Sequence, residues 1–133
     1  MPSTYMKDAI KAYLITQSTI TLYVGEDIYH GSSPQNLMTD HIRYQIIVSD
    51  NEPAVFGRDT AQHRWRFDIF SMNENNCWII GEALVTLLNR ANGPFDGMGI
   101  YFTTASGPRV IPDTSDEQWW HGMVDAMIGY VRT

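Results

Sequence analysis

The clearest pattern in the chain is an alternation that becomes a helical repeat within residues 62–93. In its first part, Trp65, Phe67 and Ile69 alternate with charged residues, which predicts a half-buried β-strand. After Ser71 the apolar residues follow helical spacing instead, and they are Cys77, Ile80, Leu84, Leu87, Leu88 and Ala91. A strand that leads directly into an amphipathic helix predicts a sheet packed against a helix, the minimal core of an α+β domain.

The beginning of the chain predicts two short helices. Ser3 or Thr4 is expected to cap the first, because a short hydroxyl side chain accepts hydrogen bonds from free backbone N–H groups, and the helix should end near Thr16. A second short helix is expected to open at Ser18 and to be closed by Gly25, which takes the left-handed conformation at little cost.

Four further extended segments complete the predicted fold. A brief one covers residues 27–31, and alternation over residues 41–49 predicts a longer strand. Residues 100–104 follow a turn, and the last strand, within residues 117–133, is apolar on both faces, as in a central strand or one covered by another subunit. We therefore predict an α+β fold, a mostly antiparallel β-sheet of about four to five strands packed against an N-terminal helix and one central amphipathic helix.

Polar segments join these elements. The central helix is expected to begin after Asn73 or Asn75 and to stop at Gly93-Pro94. Residues 50–60 are predicted to link two long strands as an extended hairpin loop. Residues 105–117 contain a Gly-Pro pair, a second proline and three acidic residues, so they are expected to be an exposed, mobile connection.

Length and composition narrow the class of protein. A chain of 133 residues, 44% hydrophobic and 12% aromatic, predicts a single domain over residues 1–133 with a real core. The formal charge of −6 and the dispersed basic residues argue against a general nucleic-acid binder. Residues 1–17 lack the apolar region of a signal peptide, and no apolar run approaches the ~20 residues that span a bilayer, so we expect a soluble cytoplasmic protein.

The residues with possible chemistry do not form a known motif. None of the four histidines, His30, His41, His63 and His121, falls at a metal-binding spacing, and each lies in or beside a different predicted strand. The single cysteine, Cys77, lies on the apolar face of the predicted helix and is interpreted as a small buried thiol in a reducing compartment.

Two groups of residues are candidates for a contact between subunits. Arg64, Arg66 and Asp68 form a charged stripe on the polar face of a strand, which is either solvated or a subunit interface. Trp119 and Trp120 are adjacent, so in a strand they point to opposite faces and only one can enter the core of its own domain. The other needs a cover, either from a second subunit or from the helices or the preceding loop.

Taken in order, these elements resemble a known family, the tail-terminator or tail-completion proteins of tailed bacteriophages with long non-contractile tails. The resemblance extends over nearly the whole chain and depends on the order and spacing of several short motifs. These are Asp27-Ile-Tyr29 with Gly31 and Pro34, Tyr44-Gln45, Arg66 with Asp68-Ile69 and Ser71, Glu82-Ala83-Leu84 with Leu87-Leu88, and a last strand ending in Tyr130. Family members often have a tighter connection between the last two strands than residues 105–117 provide.

The resemblance implies a structural virion protein without catalysis, cofactor or metal. Such proteins assemble as rings, usually hexamers, that cap the tail tube and join it to the head-completion complex. The implied partners are other copies of the chain, the tail tube protein and the head-completion or stopper protein, at the head–tail interface of a virion assembled in the host cytoplasm. DNA would pass through an acidic channel without specific binding, because like charges prevent tight binding.

Within that interpretation, the two polar loops are expected to contact the tail tube or the head side, or to line the channel. The residues concerned are Asp50, Glu52, Arg58, Asp59, Arg109, Asp113, Asp116 and Glu117.

Two alternative functions remain. One is a head-completion or stopper protein of the connector. The other is a small ligand-binding or enzymatic α+β domain, which would require His41, His63 and Asp68 to converge in one cleft.

Overall fold

The computed structural model describes residues 5–34, 37–50, 60–89, 93–95, 98–113 and 118–131, of which 48–50, 60–62, 93–95, 98–103 and 130–131 are described by their backbone alone. Within these described residues, three helices and six strands follow one another. The helices are α1 (Met6–Leu14), α2 (Ser18–Val24) and α3 (Glu74–Asn89). The strands are β1 (Ile28–His30), β2 (His41–Asp50), β3 (Thr60–Ser71), β4 (Gly93–Phe95), β5 (Met98–Pro112) and β6 (Trp120–Val131).

All six strands form one sheet in the order β1-β2-β3-β6-β5-β4. Every neighbouring pair is antiparallel except β1 and β2, which are parallel. The predicted α+β class and the mostly antiparallel sheet are therefore confirmed, and the sixth strand is β4, a three-residue edge strand that the sequence did not predict. The last strand, β6, lies between β3 and β5, as expected for a strand that is apolar on both faces.

The core lies between one face of the sheet and the three helices. Trp65, Phe67 and Ile69 of β3 are buried there, as their alternation predicts. From α3 the core receives Cys77, Ile80, Leu84 and Leu88, and from β6 it receives Val124, Ala126 and Ile128. On β2 the buried pattern ends early: the Ile46 side chain is 39% exposed, and a register shift follows between Ile46 and Val48.

The helix ends agree with the sequence in part. Gly25 closes α2 with a φ of 58°, and the side-chain oxygen of Asn73 accepts a hydrogen bond from the Asn76 N–H at 3.2 Å, so Asn73 caps α3. At α1 the N-cap is Tyr5, without a side-chain cap, and the predicted caps Ser3 and Thr4 lie outside the described residues. The described part of α3 runs to Asn89, residues 90–92 lie outside the described residues, and Gly93-Pro94 begins β4, an edge strand that tolerates proline.

The prediction of a loop over residues 105–117 is wrong as far as Pro112. Strand β5 continues to that residue and pairs with β6, and the Gly107-Pro108 pair is accommodated by a register shift between Ser106 and Arg109. At such a bulge the ladder is interrupted, so a proline costs no strand hydrogen bond, and Gly107 can take its φ of 117°. The connection from β5 to β6 is therefore only residues 113–119.

The bulge packs directly on α3. A Cβ atom at Gly81 would lie 2.5 Å from Cβ of Pro108, so glycine allows the helix to approach the strand closely at this point. This contact holds the middle of β5 against the helix layer and turns Arg109 toward the opposite face of the sheet.

Candidate functional site

The three described helices lie on one face of the sheet, and we call the other the open face. It carries the side chains that alternate with the core residues on the four long strands. They are His41, Arg43 and Gln45 on β2, Arg64, Arg66, Asp68 and Phe70 on β3, His121, Met123, Asp125 and Met127 on β6, and Thr104, Ser106, Arg109 and Ile111 on β5. The predicted stripe of Arg64, Arg66 and Asp68 lies on this face.

Pairing between β3 and β6 gives two members of the stripe an acidic or basic partner. Arg66 lies opposite Asp125, with 3.7 Å between Nε and Oδ1, which is an ion pair but not a hydrogen bond. Nε2 of His121 lies 2.7 Å from Oδ1 of Asp68, a hydrogen-bonded pair that becomes an ion pair when the imidazole is protonated. Arg64 is exposed and has no ion pair among the described residues, so it is the more available of the two arginines in the stripe.

One end of the open face is aromatic. The ring of Phe70 stacks between the imidazoles of His41 and His121, with centroid distances of 5.1 and 4.6 Å. The guanidinium of Arg43 lies over the same ring at 4.4 Å, as a cation–π contact. Burial lowers the pKa of His41, although its Nδ1 donates a hydrogen bond to the Thr39 carbonyl at 2.8 Å.

The tryptophan pair points to opposite faces, as predicted. Trp120 begins β6 and packs against the core under the helices, whereas Trp119 lies at the aromatic end of the open face, 5.6 Å from the His41 ring. Trp119 is only 8% exposed and lines a cavity of about 330 Å³ with Ser33, Pro34, Leu37 and Met38, so its cover comes from its own chain. This leaves Arg64 and Arg66 as the accessible members of the predicted interface.

Few of the predicted loop residues lie in described loops. Arg109 lies on β5 and faces outward on the open face, and Asp113 follows that strand and lines the same cavity as Trp119. Asp50 is the last residue of β2. Glu52, Arg58, Asp59, Asp116 and Glu117 lie outside the described residues.

The three residues considered for an enzymatic cleft do not share one. His41 and Asp68 belong to the open face, but His63 alternates onto the helix-facing side, opposite Ile128 of the core. Among the described residues no group of three or more His, Cys, Asp or Glu side chains is placed to hold a metal ion.

Cys77 is buried, as its place on the helix predicts. It is fully inaccessible, and its thiol donates toward the carbonyl oxygen of Trp120, 3.3 Å from Sγ. Burial raises its pKa to about 11, which keeps it in the unreactive thiol form.

Sequence reasoning missed the partners on β6. Met123, Asp125 and Met127 alternate with core residues, so their position on the open face was readable from the pattern. That Asp125 lies opposite Arg66 depends on strand register, for which the sequence holds no local signal.

Comparison with known proteins identifies the fold. No protein-family model matches the sequence, and no curated protein matches it significantly. Among solved structures, the chain is similar to a chain of the virion of a native gene transfer agent particle, with a TM-score of 0.69 and 11% identity over 97% of this chain and 99% of that one. The two chains therefore share a fold over essentially their whole length. A second solved structure has a TM-score of 0.49 at 10% identity, a likeness too weak to interpret.

None of the described helices is long and apolar enough to cross a membrane.

Proposed function

We propose that this protein is a structural component of a phage-type virion, a tail terminator that forms a ring, hexameric in the simplest case, on the end of the tail tube. The ring ends polymerisation of the tube, leaves a channel for DNA and joins the tail to the head-completion complex. The observation that carries the proposal is the shared fold, over nearly the full length of both chains, with a chain of a gene transfer agent virion.

Two features of the molecule support an assembly role. The open face is a broad sheet surface carrying exposed arginines, and no described helix covers it. A ring of identical copies needs heterologous contacts, in which two different patches of the same chain meet, and such a face can supply one of them. The proposal is also consistent with the family resemblance, because the unusually long connection at residues 105–117 is strand as far as Pro112.

The first test is the assembly state of the purified chain. Light scattering should report a mass several times the 15.2 kDa of one chain, and negative-stain microscopy should show closed rings with a hole wide enough for duplex DNA. A strict monomer at the highest soluble concentration, also after tube protein is added, would contradict the proposal.

A second test separates a terminator from a stopper of the connector, which would share small size and ring formation. Tubes polymerised from the tail tube protein should be shorter and capped at one end when this chain is present. A ring that binds the head connector but not tube ends would favour the stopper instead.

A further inference from the structure

Charge is distributed unevenly between the two sides of this molecule. Among the described side chains, the open face carries four arginines, Arg43, Arg64, Arg66 and Arg109, against three aspartates, Asp68 and Asp125 on its strands and Asp113 at its aromatic end, so its arginines outnumber its aspartates by one although the whole chain has a formal charge of −6. On the other side, α3 carries Glu74 and Glu82 and has no basic residue between Glu74 and Asn89. Opposite charges on two separate surfaces of one chain are complementary between copies.

The exposed side of α3 is a defined stripe. Glu74, Trp78 and Glu82 are spaced four residues apart, which places them on one side of a helix. The core residues of α3 lie on another side of the helix, so Trp78 and Glu82 are exposed, while Glu74 is half-buried at the edge of this acidic stripe. It includes exposed apolar surface, because Trp78 is 39% exposed and the neighbouring Ile79 is 42% exposed.

We infer that the open face of one copy binds the acidic stripe of α3 on the next copy. The inference rests on the proposed ring and specifies its interface. The two patches lie on opposite sides of the sheet-and-helix layer, so copies would stack head to tail and the contact would be heterologous, as a ring requires. The arginines would meet Glu74 and Glu82, and Trp78 would pack on the apolar side chains of the open face.

The composition of both patches suits a protein contact. The open face offers the half-buried side chains of Met123 and Met127, and Ile111 is 43% exposed. Methionine adapts its shape to a partner, and tryptophan and arginine dominate the energetics of many interfaces. Duplex DNA is a less suitable occupant, because Arg66 and Asp68 already have partners on β6 and the whole chain is acidic.

Charge reversal tests the inference on exposed residues. Arg64→Glu makes the open face more acidic, and Glu82→Arg makes the stripe basic, so each variant alone places like charges across the contact. Each should weaken assembly by about tenfold or more, because like charges that meet at an interface are costly. Mixing the two variants in equal amounts should restore the oligomer, since in an alternating ring every contact again joins opposite charges.

The controls carry the same charge changes elsewhere. The control variants are Lys7→Glu, at an exposed position on α1, and Glu26→Arg, at an exposed position after α2. Mass by light scattering and thermal unfolding should be measured for all four variants, and we expect wild-type assembly in the two controls and wild-type folding in all four.

Four results would overturn the inference. Rings that persist in both Arg64→Glu and Glu82→Arg would show that another surface forms the contact, and the proposed ring would stand. Loss of assembly without rescue by mixing would indicate a contact other than the one inferred. Duplex DNA bound by the wild type and released by Arg64→Glu would assign the open face to nucleic acid. A wild type that stays monomeric, also with tube protein, would remove both the inference and the proposed function.

Discussion

Reversing the charge of Arg66 should disturb assembly more than it disturbs the fold of one chain. Arg66 lies on the open face, away from the core, and its nearest acidic partner is Asp125 on the neighbouring strand. If the open face is a subunit contact, Arg66→Glu repeats its effect at every interface of the ring.

The cost to folding can be worked out from this ion pair. At 3.7 Å between Nε and Oδ1, the attraction between two unit charges in water is about 1 kcal/mol. The side chains are 38% and 37% exposed, so solvent screening places the pair within the range of about 0–1 kcal/mol typical of surface salt bridges. Arg66→Glu loses this attraction and adds a repulsion of similar size, so the free energy of unfolding should fall by about 0–2 kcal/mol.

Chemical denaturation and light scattering on the same samples check this prediction. Leu84→Ala is the matched contrast, because Leu84 is fully buried and its truncation should cost about 2–5 kcal/mol. Arg66→Gln, which removes the attraction without adding repulsion, should fall between the wild type and Arg66→Glu in both measurements. If Arg66→Glu unfolds the chain, or destabilises it as much as Leu84→Ala does, the assignment of the two faces of β3 is wrong.

Three further predictions concern the core and its edge. Gly81→Ala should lower the free energy of unfolding by up to about 2 kcal/mol. The added Cβ clashes with Pro108, and this cost exceeds the gain of about 1 kcal/mol in helix propensity. A variant more stable than the wild type would contradict the close packing. Cys77 should resist iodoacetamide at neutral pH until the chain is denatured, since burial raises its pKa to about 11, and rapid labelling of the native protein would show otherwise. Burial lowers the pKa of His41 in the folded chain, so as the pH falls the unfolded chain binds a proton on His41 before the folded chain does. The stabilisation that comes from neutral His41 is therefore fully present above pH 6.5 and is lost as the pH falls below it. His41→Gln should reduce that loss in urea titrations at several pH values, and an unchanged pH dependence would refute the assignment.

The proposed contact between the acidic stripe and the open face would also explain why an acidic protein can keep a cluster of arginines exposed. Self-repulsion from a net charge of −6 opposes association of identical copies. Placing four of the nine basic residues on one face and two glutamates on α3 would turn part of that repulsion into a directional attraction between copies. The same segregation would disfavour a contact between two open faces.

By itself, the sequence determined the elements and the faces of this protein. The alternation of Trp65, Phe67 and Ile69 and the helical spacing from Cys77 to Leu88 correctly indicated which side of β3 and α3 is buried. Burial can be predicted from these local patterns, because the position of a residue along one helix or strand decides whether its side chain faces the core or the solvent. For the same reason, the stripe of Arg64, Arg66 and Asp68 was readable as the polar face of a strand.

Only the tertiary structure decided which residues pair with the side chains of those faces and which segments cover them. The Gly107-Pro108 pair indicated a loop, but pairing with β6 and packing on Gly81 retain it inside β5. The partners Asp125 and His121 reach Arg66 and Asp68 through the register of strands far apart in the chain, and Trp119 is covered by segments that the sequence does not connect to it. Register and cover are relations between distant segments, so no local pattern encodes them, and the arrangement of charges on the open face follows from that register.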